Sequence, residues 1–437
     1  MPRLPVVLLI GLWLASCATA ADVTTLKPQL LDYQSEEIRA LAFNSDGTLL
    51  AVSPQDNDFW LCDPKSAKFL SAVKAMQKPA NLLFAGPRPD LLYSVEGFLL
   101  RLVNLKTGET VASYGTSVGI SGPGVLFPRG DILATPAAPG GVELLKADLG
   151  RSLTTLTAPD TPSPAGDWKT TVAAISPDGK IVAGARPTGK IYLWTLAGTE
   201  ASGVQTCDAH SGHVEALAFA KEGLVSLGRD GQAKLWNPAD GQPRGTWSLG
   251  GPLARGWLLA DGQAAAVVRE AAPGEVQLYY LPSGDKPASG DKPPELFATT
   301  SVAEVFDGFA LAGSPSVTNL ALSPDRKVLA LSLQAGQDGG LRNARVPLFD
   351  LSATLARTLP PATSPNSTAT GPASTKPPAA TAAPRTWTSA DGKFQVEATL
   401  VSFRAGIVTL RRVDNGKLIT LKLDQLSPAD QQVARAK

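Results

Sequence analysis

A hairpin-turn signal recurs along this chain at intervals of about forty residues, and that repeat limits the fold more than any other feature. The turns fall near positions 46, 89, 130, 178, 222, 261 and 325. Short apolar runs of period two flank each turn, as in Arg39–Val52, Thr171–Ala183 and Thr318–Ala330. No stretch between them carries a helical period. Units of this kind cannot bury their faces singly, so they must stack. Seven four-stranded units closing on themselves leave only short, protected edges, and an all-β ring is the expected architecture.

The clearest unit is His210-Ser211-Gly212-His213-Val214, followed by Ser226, Arg229-Asp230-Gly231 and Leu235-Trp236-Asn237. It resembles a WD40 repeat: a Gly-His dipeptide, three strands, and Leu-Trp-Asn where the family usually has Trp-Asp. The resemblance implies a seven-bladed β-propeller, with eight blades the alternative. It further implies a structural tetrad of His213, Ser226, Asp230 and Trp236, in which Asp230 holds His213, and His213 reaches Ser226 and then the Trp236 indole. Each link satisfies a polar group that the blade interior would otherwise strand, worth about 1–3 kcal/mol apiece.

The remaining units are more worn. Asp46-Gly47, Asp178-Gly179 and Asp261-Gly262 supply turns suited to hairpins, whereas Arg326 stands where glycine is usual and predicts a turn of another type. Thr25–Leu31 is placed to supply the outer strand that joins the last blade to the first. The propeller is expected over 21–357, with a Pro/Gly/Lys-rich insertion loop at 282–314.

From 358 to 384 the chain is almost wholly Pro, Ala, Thr and Ser, a composition that cannot offset its ordering entropy and predicts a disordered linker. Alternation resumes at Phe394–Val401, Ile407–Leu410 and Ile419–Leu423, with Asn415-Gly416 as a hairpin turn. Residues 385–437 resemble the Sla homology domain 1 through Arg385-Thr386-Trp387-Thr388, Gly392-Lys393-Phe394, Gly406–Leu410, Asn415-Gly416-Lys417 and Leu426–Asp430. The short strands suggest a small SH3-like barrel, and the resemblance implies binding of short, extended Asn-Pro-Phe-containing peptides with an acidic end. Arg411 and Lys422, on the outward side of their strands, are the candidate peptide contacts.

The N-terminus reads as an export signal over 1–20: Arg3, the apolar run Leu4–Ala15, then small residues. Ala18-Thr19-Ala20 suits cleavage before Ala21, and Leu14-Ala15-Ser16-Cys17 suits lipidation at Cys17. The expected location is periplasmic, cell-envelope or secreted, with a lipid anchor as one form. The net charge of +1 gives no field that would draw nucleic acid. Cys62 and Cys207 read as separate buried thiols rather than a disulfide framework.

Motifs that suggest chemistry lack their context. Gly115-Thr116-Ser117-Val118-Gly119 fits G-x-S-x-G, but no helix pattern follows it. Gly184-Ala185-Arg186-Pro187-Thr188-Gly189-Lys190 fits most of a phosphate loop, but Ile191 replaces the metal-holding Ser/Thr and a strand follows. Asp56-Asn57-Asp58 lacks the rest of an EF-hand, and two histidines with two cysteines, scattered, do not make a zinc site. The sequence therefore predicts a non-enzymatic protein-protein interaction scaffold with no cofactor and no metal. The alternative is a sensor or enzyme subunit holding a small ligand in the central channel.

Overall fold

The computed structural model describes residues 23–31, 35–55, 58–74, 80–116, 120–137, 141–160, 171–259, 261–282, 293–306, 315–336, 342–352, 385–390, 395–404, 407–412 and 418–435. The chain divides into two compact units, 1–368 and 369–437. Seven sheets make up the first, each built around an antiparallel meander, with N-terminal strands added to the last two.

Blade 1 comprises Ile38–Phe43, Leu50–Pro54, Asp58–Asp63 and Lys68–Lys74, from the innermost strand outward. Blades 2 to 5 repeat the pattern, beginning at Leu82, Val125, Val172 and Val214 and ending at Gly115, Thr157, Asp208 and Ser248. All seven turn positions read from the sequence lie between the first and second strands of a blade.

The N-terminal segment closes the ring. Gln29–Leu30 pairs antiparallel with Pro347–Asp350, becoming the outermost strand of blade 7. Just before it, Thr24–Thr25 runs parallel to Ala298–Thr299 as a fifth strand on blade 6. The expected insertion at 282–314 is therefore corrected. Within it, Glu295–Ser301 is the fourth strand of blade 6 and Ala303–Phe306 is a 3-10 turn. Its Leu296, Phe297 and Ala298 are apolar enough to join the neighbouring cores. The Lys/Pro/Gly bias that suggested a loop comes from 283–292, outside the described residues.

Burial follows the seams between blades. Leu41, Phe43 and Trp60 of blade 1 pack with Ala330 and Leu348 of blade 7, which closes the circle. Ala42 and Leu61 meet Leu92 and Val103 across the next seam. Clusters of the same kind fill the other five. Alternating side chains of one strand thus serve two different seams, as the two-residue period requires.

One turn is built four times. In Asn44–Gly47, Phe127–Gly130, Ser176–Gly179 and Ser323–Arg326 the last residue donates its N–H to the first carbonyl at 2.7–3.0 Å, with positive φ at 74°, 72°, 72° and 62°. Arg326 thus adopts the same turn as its glycine counterparts, which corrects the expected change of turn type. The buried Ser176 and Ser323 hydroxyls each accept the N–H five residues on at 2.9 Å and donate to the Asp two residues on. That scaffold holds the backbone in place whatever the fourth residue is.

The second unit is a four-stranded antiparallel meander: Arg385–Thr388, Gln395–Arg404, Ile407–Arg412 and Leu418–Lys422. A bridge between Ser389 and Leu426 ties its start to its end. The sequence reading missed the helix Pro428–Arg435, although Ser427 before Pro428 and Asp430 is an N-cap signature.

Candidate functional site

The chain's Ser–His–Asp constellation lies in blade 5, between the second strand (Gly223–Gly228) and the third (Gln232–Trp236). Its histidine is His210, which corrects the expected His213. His210 Nδ1 lies 3.0 and 3.1 Å from the Asp230 carboxylate oxygens, and Nε2 lies 2.8 Å from Ser226 Oγ. The Trp236 indole N–H donates to the same Oγ at 2.9 Å. Two histidines three residues apart compete for the role. Only His210 sits where the chain returns from blade 4, its amide bonded to the Gly189 carbonyl.

A serine between a histidine and an indole donor is poorly placed to attack anything. Ser226 is fully buried, and its oxygen already accepts from Trp236. Burial is the main influence on His210 and holds its pKa below 6.5, against the pull of Asp230. The ring is thus neutral, one nitrogen donating and the other accepting. The network joins the approach to blade 5 to the second strand, the third strand and the turn between them.

Other blades vary the theme at matching positions. Trp194 faces Val182 as Trp236 faces Leu224. Gly184 stands where Ser226 would be, so the Trp194 indole donates instead to the Thr157 carbonyl at 3.1 Å. The third strands also carry a repeated polar stitch to the preceding blade. Arg101 reaches the Lys74 carbonyl, Glu143 accepts from the Tyr114 hydroxyl, and Lys234 reaches the Ala209 carbonyl. Arg101 additionally pairs with Glu96, both nearly inaccessible, beside Ser94. None of these positions was legible beforehand, because each depends on which strand lies opposite.

His213 stands immediately before the innermost strand of blade 5, Val214–Ala220, and is partly exposed. Its Nδ1 lies 3.1 Å from Glu215 Oε1, which also takes Arg229 Nε at 2.6 Å. Burial pushes the Glu215 carboxyl up, but the bonds to His213 and Arg229 outweigh it and leave the group below its ordinary range. Glu215 is the extra residue of a bulge in the innermost strand. Arg39, Ala254 and Thr318 take the same place in blades 1, 6 and 7. Bulges re-aim side chains, and in three of these four blades the re-aimed side chain is polar: Glu215, Arg39 and Thr318.

Cys62 and Cys207 are free and buried in blades 1 and 4, with burial pushing their thiols up to about 12 and about 11. Among the described residues no three His, Cys, Asp or Glu side chains cluster as a metal site. Among them, too, no helix is long and apolar enough to cross a membrane.

In the second unit the organising group is Asp430, almost wholly buried. It accepts from Arg385 Nη2 at 2.6 Å, the Thr388 N–H at 2.8 Å and Ser427 Oγ at 2.8 Å. Arg385 lies over the Trp387 ring, whose indole donates to the Ala398 carbonyl. Arg411 pairs with Leu418, and Lys422 with Ile407, so the register sets them at opposite ends of one hairpin. Their side chains lie outside the described residues, as do Cys17, the export signal 1–20 and the linker 358–384.

Residues 374–437 match SLA1 homology domain 1, and residues 25–86 match the anaphase-promoting complex subunit 4 WD40 domain. The crystal structure of the C-terminal WD40 domain of Sif2 superposes with a TM-score of 0.51 at 15% identity, covering 74% of this chain and 98% of that one. At that identity the likeness concerns the fold alone. Among curated proteins, telomerase protein component 1 of Mus musculus is 30% identical over 257 residues, and that of Rattus norvegicus 28% over 258. Each alignment takes in 57% of this chain, which spans only 9% of the length of either relative. The chain is a seven-bladed WD40-type propeller followed by a Sla homology domain 1.

Proposed function

We propose that this protein is a non-enzymatic scaffold of an exported compartment, docking other proteins through the propeller and extended peptides through the C-terminal domain. Phe98 carries the reading for the propeller. It is the most exposed large apolar side chain among the described residues, at 68%. It sits at the tip of the tight hairpin joining Glu96 and Leu99. Its own carbonyl accepts both the Thr116 N–H at 2.8 Å and the Thr116 hydroxyl at 2.9 Å. A phenyl ring held out on a fixed backbone loses little freedom on binding, which suits an interface anchor.

Affinity capture from cell-envelope extracts tests the proposal, using the full chain, the Phe98→Ala variant and a chain ending at 368. A partner retained by the full chain and lost on Phe98→Ala supports propeller docking. One lost only on truncation assigns docking to the tail, with Arg411 and Lys422 the first residues to substitute. Retention of the same partners by all three forms would overturn both. Export is tested by intact mass: a mature chain starting at Ala21, or a lipid on Cys17, supports it, and a chain starting at Met1 refutes it.

A further inference from the structure

The hairpin whose sequence imitates a phosphate loop does hold an anion, supplied by the chain itself. In blade 4, Arg186 Nη1 lies 3.2 Å from Asp160 Oδ1, and Lys190 Nζ lies 3.4 Å from Oδ2. The Tyr192 hydroxyl donates to the same carboxylate at 2.8 and 2.9 Å. The Arg186 guanidinium sits 5.0 Å above the Tyr192 ring, which orients its plane. All three donors come from the ends of paired strands, Ile181–Ala185 and Lys190–Ala197. The acceptor comes from the connection after Ser152–Thr157, the outer strand of blade 3.

The fit is incomplete in an informative way. Arg186 is 4% exposed, yet its Nε has no hydrogen-bond partner among the described residues. A guanidinium is best satisfied by a carboxylate spanning two of its N–H groups, and a buried unmet donor is costly. Asp160 meets only one of them, and its side chain remains 35% exposed. Among the described residues the competing acidic group is Asp208, opposite Lys190 in register. With Asp160 withdrawn, two cations face that one anion among the described residues.

We propose that Arg186, Lys190 and Tyr192 form a carboxylate-recognition site, which Asp160 occupies as an internal ligand and an acidic side chain of a partner takes over. Asp160 then acts as a tethered competitor: its local concentration sets the threshold that an incoming acidic segment must exceed. The incoming carboxylate gains the unmet Nε donor, an advantage Asp160 does not have. This deepens the scaffold reading by giving one contact its chemistry, and it is tested without any natural partner, so that its failure leaves the capture experiment intact.

The test uses the full chain and a fluorescein-labelled tetraglutamate peptide, followed by anisotropy at low ionic strength. Asp160→Ala empties the site and is expected to bind the peptide about tenfold or more tightly than the unaltered chain. Asp160→Asn, which keeps a group for Tyr192 but drops the charge, is expected to fall between them and serves if the alanine variant does not fold. Adding Arg186→Gln to either variant is expected to abolish the gain. Competition by succinate would mean that a bare carboxylate suffices; peptide binding that resists succinate would mean that neighbouring residues contribute. A folded Asp160 variant that binds no better than the unaltered chain overturns the proposal, as does a gain that survives Arg186→Gln.

Discussion

Arg326 Nη2 and Asp261 Oδ2 meet at 2.7 Å, joining two residues that both hold left-handed backbone, at φ 62° and 55°. They sit in the first turns of blades 7 and 6, so one ion pair links two neighbouring turns. Asp261 is well exposed, and such a pair contributes only about 0–1 kcal/mol.

Arg326→Gly removes that pair and a backbone cost of about 1–2 kcal/mol, while adding freedom to the unfolded chain. The terms nearly cancel, so stability should stay within about 0.5 kcal/mol of the unaltered protein. Gly179→Arg places arginine at the matching position of blade 4 at φ 72°, and should cost about 1–2 kcal/mol. Urea midpoints of the two variants check the contrast; equal shifts would mean that the backbone conformation is not what matters.

The blade 5 network predicts a difference between two histidines. Asp230→Ala strands His210 and releases the Ser211 and Gln232 N–H groups it also accepts, costing about 1–3 kcal/mol. His210→Ala should cost a comparable amount, since Ser226 and Asp230 both lose a partner. His213→Ala, at a partly exposed position, should cost less than about 1 kcal/mol. Asp261→Ala, in a blade without such a network, should also cost less than Asp230→Ala. Chemical denaturation of the four variants decides it, and a larger loss for His213→Ala would restore that residue to the network.

His210 predicts how stability changes with pH. Its folded pKa lies below 6.5, so on acidification the unfolded chain takes a proton before the folded one does. The stabilisation is therefore whole above pH 6.5 and is lost as pH falls from there through the folded pKa. Unfolding free energy measured from pH 7.5 to 5.5 should decline in the unaltered protein and decline less in His210→Gln. Identical slopes would show that His210 is not the group responsible. Glu215 and the depressed aspartates act in a separate, more acidic window, below their ordinary values of 4.5 and 3.8.

In the second unit, Asp430→Ala removes the acceptor shared by Arg385, Thr388 and Ser427. A unit of this size has a small reserve, and a loss of about 1–3 kcal/mol is enough to unfold it. The fragment 369–437 is expected to give a dispersed amide spectrum, and its Asp430→Ala form a collapsed one. Both forms dispersed would demote Asp430 to a minor contact.

What the sequence alone determined was whatever depends on local pattern. The recurrent turns and two-residue alternation set seven meanders, and their polar turn residues marked where each begins. The role of Thr25–Leu31 followed because seven blades of four strands needed one more, whereas Ser226, Asp230 and Trp236 came from the resemblance to a WD40 repeat, and the structure joins these three through His210. The tertiary structure decided every question of who faces whom. His210 displaced His213 because its amide meets the Gly189 carbonyl where the loops flanking the last two strands of blade 4 come together, a contact that spacing within the motif does not reveal. Glu295–Ser301 became a strand because its apolar residues found two seams to fill, despite the loop-like composition just before it. Asp160 found Arg186, Lys190 and Tyr192 because adjacent blades bring their loops together. Hydrogen bonds and ion pairs depend on separation in space, and one-dimensional spacing fixes that separation only inside a single repeat.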